Sequence, residues 1–538
     1  MPAGGRTAGG RGATASPDEQ VTPAELVAGI EGYLAEHPSA AVLEDGRAIF
    51  DMRSARFSVA ESHGRCLLQL WSEERNVVRT VLGMQVRAGC LRLTTRRMGA
   101  AKPESLELVP TPDRRTPTAR DTARRRYLRL LERALAQRFA GAKVDGMRSA
   151  MDLEHSFGPA YARGRLLRGT AADAVIGIGA SEPTAAVDGV LTLGLLWLDY
   201  CRKHADGRRH FGGLKVIVPA GMERTTAERM AWLNHAAANF ELFTLDERTE
   251  ELAAVDFRDT GNVESRLVQA FRPEAAIERC RAGIDRVLAL APEAKRVELY
   301  PRSPNEVGLL LHGLEFARVR RGAGVQSFAQ QDEITFGAGA NETPLNDESE
   351  SLARELLARL FASRHADGVH ADPLFRLQPE RWLESRLRAA LAELLPKLRG
   401  DCIYSQVPAL SSTERGMLDL LALDRDGRLV VIELKANEDL HLPLQALDYW
   451  IRVRALNADR RADASGRMRS AFERAGYFPG AEISDAPPRL LLAGPALRIH
   501  PANEPVLRHL SPEIDWELIA LSEHWRSELK VVFRKRAN

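Results

Sequence analysis

Asp419, Glu433 and Lys435 are the residues of this chain whose types and spacing best suit chemistry. They stand in two apolar runs, Gly416-Met-Leu-Asp-Leu-Leu-Ala-Leu-Asp and Arg428-Leu-Val-Val-Ile-Glu-Leu-Lys-Ala, joined by Arg425-Asp426-Gly427. Asp-Gly between two such runs signals a hairpin. A turn centred on Asp426 sets Asp419 across from Glu433 and Met417 across from Lys435. Side chains two apart share a strand face, so Glu433 and Lys435 point the same way. Leu418, Leu420, Val430, Ile432 and Leu434 are left for the other face. Two carboxylates side by side in an apolar ribbon repel each other and are costly to desolvate. A divalent cation removes both costs, and an oxygen-only donor set suits Mg²⁺ or Mn²⁺ rather than zinc. Such an ion can activate water and stabilise a phosphoryl oxyanion, while the lysine orients that water or neutralises the transition state. The plainer alternative is an edge hairpin with a solvated Glu-Lys pair.

Two helices must flank this ribbon. The first starts at Pro379, a residue suited to a first helical position. Its apolar stripe is Leu383, Leu387, Ala390, Leu391 and Leu394. At about 100° per residue Glu384 and Glu380 fall inside that stripe. An inward carboxylate must be paired or bind a cation, unless Glu384 sits at the stripe's edge and reaches solvent. The second helix is Pro443-Leu-Gln-Ala-Leu-Asp-Tyr-Trp-Ile-Arg. Gln445, Tyr449 and Arg452 share one of its faces and could hold the site or touch phosphate; the alternative is an ordinary amphipathic helix.

The ordered set Glu384, Asp419, Glu433-Leu-Lys435 and Gln445-to-Tyr449 resembles the restriction-endonuclease-like, or PD-(D/E)XK, nuclease superfamily. It is most similar to the RecB-like branch, which carries a QxxxY motif after the ExK strand. The resemblance covers about 160 residues. It implies that Glu384, Asp419 and Glu433 bind the metal, that Lys435 and Gln445 support catalysis, and that the fold is an αβ core around a central mixed sheet. The proline of the superfamily's name is absent, since Leu418 precedes Asp419. The expected activity is Mg²⁺-dependent hydrolysis of phosphodiester bonds, of DNA rather than RNA. The alternatives are a non-catalytic nucleic-acid-binding protein that keeps the fold, and an interaction protein without a nucleic-acid role.

The rest of the chain bounds this reading. Net charge is only +2 over 538 residues, so a nucleic-acid surface must come from local clusters. Candidates are Arg96-Arg97, Arg114-Arg115, Arg124-Arg125-Arg126 and Arg318-Arg320-Arg321, each equally readable as solvated surface. The five cysteines are an odd number with no CxxC pair, which excludes a complete disulfide framework and fits a reduced cytoplasm. No secretory signal is visible. The apolar run Val190–Leu198, flanked by Asp188 and Asp199, is too short to span a bilayer, so no membrane partner is expected. There is no GxxxxGK[ST] motif, and His365, His370 and His441 lack ligand spacing. Nothing fixes the oligomeric state; a dimer is allowed.

The expected layout is a disordered tail (1–20), a β-rich N-terminal domain (21–115), an α/β domain (120–255), an α+β connecting domain (256–345) and the nuclease-like domain (346–538). The α/β domain reads as helix, strand, helix, strand, with a further helix at Thr226–Asn239. Its strand Val175-Ile-Gly-Ile-Gly-Ala aligns with Val431-Ile-Glu-Leu-Lys-Ala, and its next helix carries Leu198-Asp-Tyr against Leu447-Asp-Tyr. That alignment puts Gly177 and Gly179 in the places of Glu433 and Lys435. A duplicated, inactivated copy is one reading and an unrelated α/β unit the other. The Gly-x-Gly is not a phosphate loop, because it opens no helix and lacks the third glycine.

Overall fold

The computed structural model describes residues 22–537 except 39, 45–46, 53–54, 63, 72–75, 88–89, 98–102, 111–116, 153–155, 260–264, 325–326, 340–342 and 412–414. The tail at 1–20 and Arg114-Arg115 lie outside the described residues. The chain divides into two compact units, Met1–Ala123 and Arg124–Asn538.

The first unit is β-rich. Helix α1 (Pro23–Glu36) opens on a capping box, with the Thr22 hydroxyl on Glu25 N and the Glu25 carboxylate on Thr22 N. Strands β1 (Ala41–Glu44), β2 (Arg47–Asp51), β3 (Arg56–Ser62), β4 (Arg65–Trp71), β5 (Asn76–Arg87), β6 (Cys90–Arg96) and β7 (Glu104–Val109) form one antiparallel sheet in the order 2-1-7-6-5-4-3. Period-two alternation buries Cys66, Leu68 and Leu70 with Leu91 and Leu93 against Ile30 of α1.

The second unit holds two mixed sheets of the same topology. The upstream one comprises α2 (Pro117–Arg138, whose residues from Arg124 belong to this unit), β8 (Lys143–Arg148), β9 (Tyr161–Arg168), β10 (Ala171–Ile178), α3 (Thr184–Asp188), α4 (Val190–Lys203), β11 (His210–Pro219), α5 (Arg224–Met230), β12 (Asn239–Asp246) and β13 (Glu251–Val255). Strand β14 (Ser265–Leu267) then crosses to the edge of the downstream sheet. A connecting subdomain follows: α6 (Pro273–Arg279), α7 (Arg281–Leu288), β15 (Glu298–Ser303), β16 (Glu306–Leu311), β17 (Leu314–Gly324), β18 (Ser327–Phe336), β19 (Thr343–Pro344), α8 (Glu350–Ser363) and α9 (Pro373–Arg376). Its antiparallel sheet and helices share their own core around Ile284, Phe316, Leu357 and Phe361. Helix α8 packs in this core, and the downstream module opens with the helix at Pro379. The downstream module comprises α10 (Pro379–Leu394), β20 (Leu398–Ser411), β21 (Arg415–Asp424), β22 (Leu429–Leu434), α11 (Leu442–Ala458), the small pair β23 (Arg461–Ala462) and β24 (Met468–Arg469), α12 (Ala471–Arg474), β25 (Arg489–Pro495), α13 (Asn503–Leu507), β26 (Trp516–Leu521) and β27 (Val531–Arg536).

In each module a long helix precedes a three-stranded antiparallel meander. The third strand crosses over through α4 or α11 to a parallel neighbour, a second parallel strand follows, and an antiparallel edge strand ends the sheet. Parallel strands covered on both sides read as near-continuous apolar runs; β22 is buried at every position, and Glu433 is the one charged residue in it. The registers align the two modules. Leu214 pairs with Phe240 as Leu490 pairs with Trp516, within Phe240-Glu-Leu and Trp516-Glu-Leu. Ala174 pairs with Leu214 as Val431 pairs with Leu490. Ala174 thus matches Val431, Ile176 matches Glu433 and Ile178 matches Lys435. The alignment that placed Gly177 and Gly179 at the acid and lysine positions is off by one residue. A one-residue slip turns every side chain to the other face: Val175, beside Gly177, packs on the α2 side, whereas Val431, beside Glu433, packs on the α11 side.

The two modules pack with α4, α5, α11 and α13 in one shared core. The contact is near-symmetric. Leu233, just after α5, bridges Leu510, just after α13. Asn234 N donates to His509 O and Ser511 N donates to Trp232 O, both at 2.8 Å. Asp448 of α11 pairs with Arg229 of α5 at 2.7 Å, and Asp199 of α4 pairs with His509 at 2.9 Å. These bonds explain why the helix expected over Thr226–Asn239 stops at Met230: its continuation hydrogen-bonds to the other module instead. Residues Thr184–Lys203 are long and apolar enough to cross a membrane, a longer helical stretch than the apolar run suggested, but 61% of that window is buried inside the fold. All five cysteines are free.

Candidate active site

The hairpin register read from the Asp-Gly turn is the one found: Leu420 pairs with Ile432, Leu421 with Val431 and Leu423 with Leu429. The paired register ends at Leu420 and Ile432, one residue short of Asp419 and Glu433. There the Asp419 carboxylate takes a place in the ladder, its Oδ2 accepting from Leu434 N at 2.9 Å. The strand turns at this point. Leu420 packs towards α10 with Val430, Ile432 and Leu434, but Leu418 packs in the opposite layer with Leu421 and Val431, which corrects the single-face assignment made for it.

The partner of β21 on its other side is β20, a strand not anticipated from the sequence. Its Gln406 is the residue that sequence reasoning missed. Gln406 has φ +52°, a left-handed conformation that costs a side-chain-bearing residue about 1 kcal/mol or more. Its buried amide Nε2 donates to Glu384 Oε2 at 2.7 Å and to Asp419 Oδ1 at 3.3 Å. Non-glycine left-handed residues are uncommon, and nothing in the local sequence Tyr404-Ser-Gln-Val marks this one.

Helix α10 brings Glu384 to the site with 7% exposure, its Oε2 also taking a 3.2 Å ion pair from Arg381. The helix start is pinned by Arg364, which is fully buried. Arg364 donates to the carbonyls of Leu311, His312, Leu374, Leu377 and Gln378, and its guanidinium lies 4.6 Å from the Trp382 ring centre. Burial pushes the Glu384 carboxyl up to about 7, the Arg381 charge opposing and Asp419 adding. Asp419 is raised, chiefly by burial, against the hydrogen bond from Leu434 and the charge of Lys435. Glu433 is 4% exposed, and burial followed by the Asp419 charge pushes it well up. Among the described residues its Oε2 accepts no hydrogen bond, while Oε1 lies 3.6 Å from Lys435 Nζ. Glu380, half-buried, is raised by burial against the pull of Lys435. Burial alone would lower Lys435, yet Glu433 and Glu380 raise it overall, so the ammonium stays charged.

Helix α11 contributes less than the spacing suggested. Tyr449 lies near the acids: burial, then the charges of Glu433 and Asp419, push its phenol up. Arg452 stands 5.9 Å from the Tyr449 ring centre. Gln445 is half-buried on the same face, but its side chain has no hydrogen-bond partner among the described residues. Glu384, Asp419, Glu433 and Lys435 are therefore brought together, Tyr449 borders them, and Gln445 does not engage them. Among the described residues no three His, Cys, Asp or Glu side chains stand in metal-ligating geometry. The chemistry of the donors nevertheless fits a hard cation: three inward carboxyls are all pushed up, and one buried oxygen of Glu433 is unpartnered.

Among the described residues the upstream module carries none of this set at the matching positions. By the strand register Arg163 pairs with Ile176, the position that matches Glu433, and by count along the strand Arg163 matches Asp419. Arg163 is 1% exposed and lies over Phe157, 4.5 Å from the ring centre, with Trp197 of α4 at 5.8 Å. Comparison with known proteins finds no family model that matches this chain and no matching curated protein.

Proposed function

We propose that this protein is a metal-dependent nuclease, hydrolysing phosphodiester bonds of DNA in the downstream module. The observation that carries the reading is Glu433, a buried carboxylate with an unpartnered oxygen beside Asp419, and with Glu384 also close to Asp419. Glu384, Asp419 and Glu433 would hold Mg²⁺ or Mn²⁺. A bound ion of this kind supplies charge neutralisation, polarises a phosphoryl oxygen and makes water a better nucleophile. Lys435 is held protonated by its acidic neighbours, so it is no base. It donates hydrogen bonds to a phosphoryl oxygen as negative charge grows there. In the hydrolysis the water oxygen bonds to phosphorus, the ester P–O bond breaks, and the leaving oxygen takes up a proton. Tyr449 and Arg452, at the border of the site, are the groups to touch the nucleic-acid backbone.

One observation favours a second reading, a nucleic-acid-binding protein that keeps the fold without cutting. Lys435 and the Gln406 amide already compensate three of the carboxylates, and no ligating cluster is preformed. A cleavage panel separates the two: plasmid, linear duplex, single-stranded DNA and RNA, each with Mg²⁺, Mn²⁺ or EDTA. Metal-dependent cleavage that Glu433→Ala abolishes supports the nuclease. Salt-sensitive binding with no cleavage under any metal supports the binder.

A further inference from the structure

The near-symmetric pair of modules bears on how many bonds one molecule can cut. Cutting both strands of a duplex at once takes two centres related by a two-fold axis, matching the antiparallel strands. This chain has the two-fold arrangement built in. Leu233 and Leu510 bridge, their flanking backbones exchange equivalent hydrogen bonds, and Asp199 and Asp448 each tie their helix to the opposite module. Among the described residues only the downstream module carries the acids at these positions. In the other, Arg163, Ile176 and Ile178 stand where Asp419, Glu433 and Lys435 stand, and a buried guanidinium in place of a carboxylate repels a divalent cation. The face that joins the modules is already buried within one chain, so a second copy cannot use it to bring up a second acid set.

We infer that one chain is the complete cutting unit with a single catalytic centre, so that it breaks one strand per binding event and nicks duplex DNA. This rests on the nuclease reading above. The upstream module supplies the two-fold partner that fixes α11 and so the ribbon under Glu433.

Two measurements test it. Supercoiled plasmid with Mg²⁺ or Mn²⁺ should pass through open circles that accumulate before any linear form. Linear plasmid arising without an open-circle stage overturns the inference. On whichever substrate the chain cleaves, wild-type protein is also diluted with Glu433→Gln chain at constant total concentration. A rate proportional to the wild-type fraction, about half at an equal mixture, is expected for one cutting chain. A steeper fall, to about a quarter at an equal mixture, shows that two active chains must meet and overturns the inference while leaving the nuclease reading standing. No cleavage of any substrate refutes the nuclease reading itself, and this inference with it.

Discussion

Replacing Glu384 by glutamine should stabilise the metal-free protein near pH 8 and make little difference near pH 4. In the folded protein burial raises this carboxyl from 4.5 to about 7. Between those values the folded state holds a proton that the unfolded state has lost. Stability therefore falls as pH rises through the window, and the loss is complete above about 7. Glutamine keeps the shape and can still accept from the Gln406 amide, but it cannot ionise. At about 1.4 kcal/mol per pH unit the window corresponds to a ceiling near 3 kcal/mol. Asp419 and Glu433 titrate in the same neighbourhood, so a gain of about 1–3 kcal/mol is expected. For a unit of this size that is roughly 1–2 °C in Tm per kcal/mol. The assay is calorimetric unfolding of the full chain in EDTA across pH 4–8, wild type against Glu384→Gln. Saturating Mg²⁺ should reverse the order at pH 8, because the ion stabilises wild type by mass action and the variant much less. A variant less stable than wild type at pH 8 in EDTA, or a difference that does not change with pH, would refute the claim that burial of an ionised Glu384 is a cost relieved by metal.

Asp419→Ala and Glu433→Ala should abolish cleavage and Mg²⁺-induced stabilisation while the circular dichroism spectrum stays unchanged. Retained Mg²⁺ stabilisation in both would put the ion elsewhere. Lys435→Ala should keep that stabilisation yet lose roughly 10²–10³-fold in turnover, read by comparing a Mg²⁺ melting titration with kcat. Gln406→Gly should relieve about 1 kcal/mol of left-handed strain but weaken Mg²⁺ binding, since the amide that holds Glu384 to Asp419 is gone; an unchanged Mg²⁺ titration would deny Gln406 that role. His312 is lowered from 6.5 to about 4, by burial and then by Arg296 and Arg364. Its contribution is therefore intact above about 6.5 and lost as pH falls towards 4, with a ceiling of about 3 kcal/mol that partial exposure reduces. His312→Asn, which tolerates the left-handed backbone at φ +47°, should flatten the Tm-against-pH curve in that window.

What the sequence by itself determined is local. The Asp-Gly turn fixed the register of β21 and β22, because a three-residue turn centred on Asp426 leaves one pairing and side chains alternate with period two. Helical periodicity put Glu384 on the inward face of α10. What only the tertiary structure decided lies between segments distant in sequence. Gln406 stands 22 residues from Glu384 and reaches it only because β20 pairs beside β21. The turn of the strand at Asp419 sent Leu418 into the other layer. The end of α5 at Met230 follows from hydrogen bonds to residues 509 and 511. The one-residue slip at Gly177 arose for the same reason. Two apolar strands compared as strings can match in either pleat, and only the helix packed on each face says which side chains point alike.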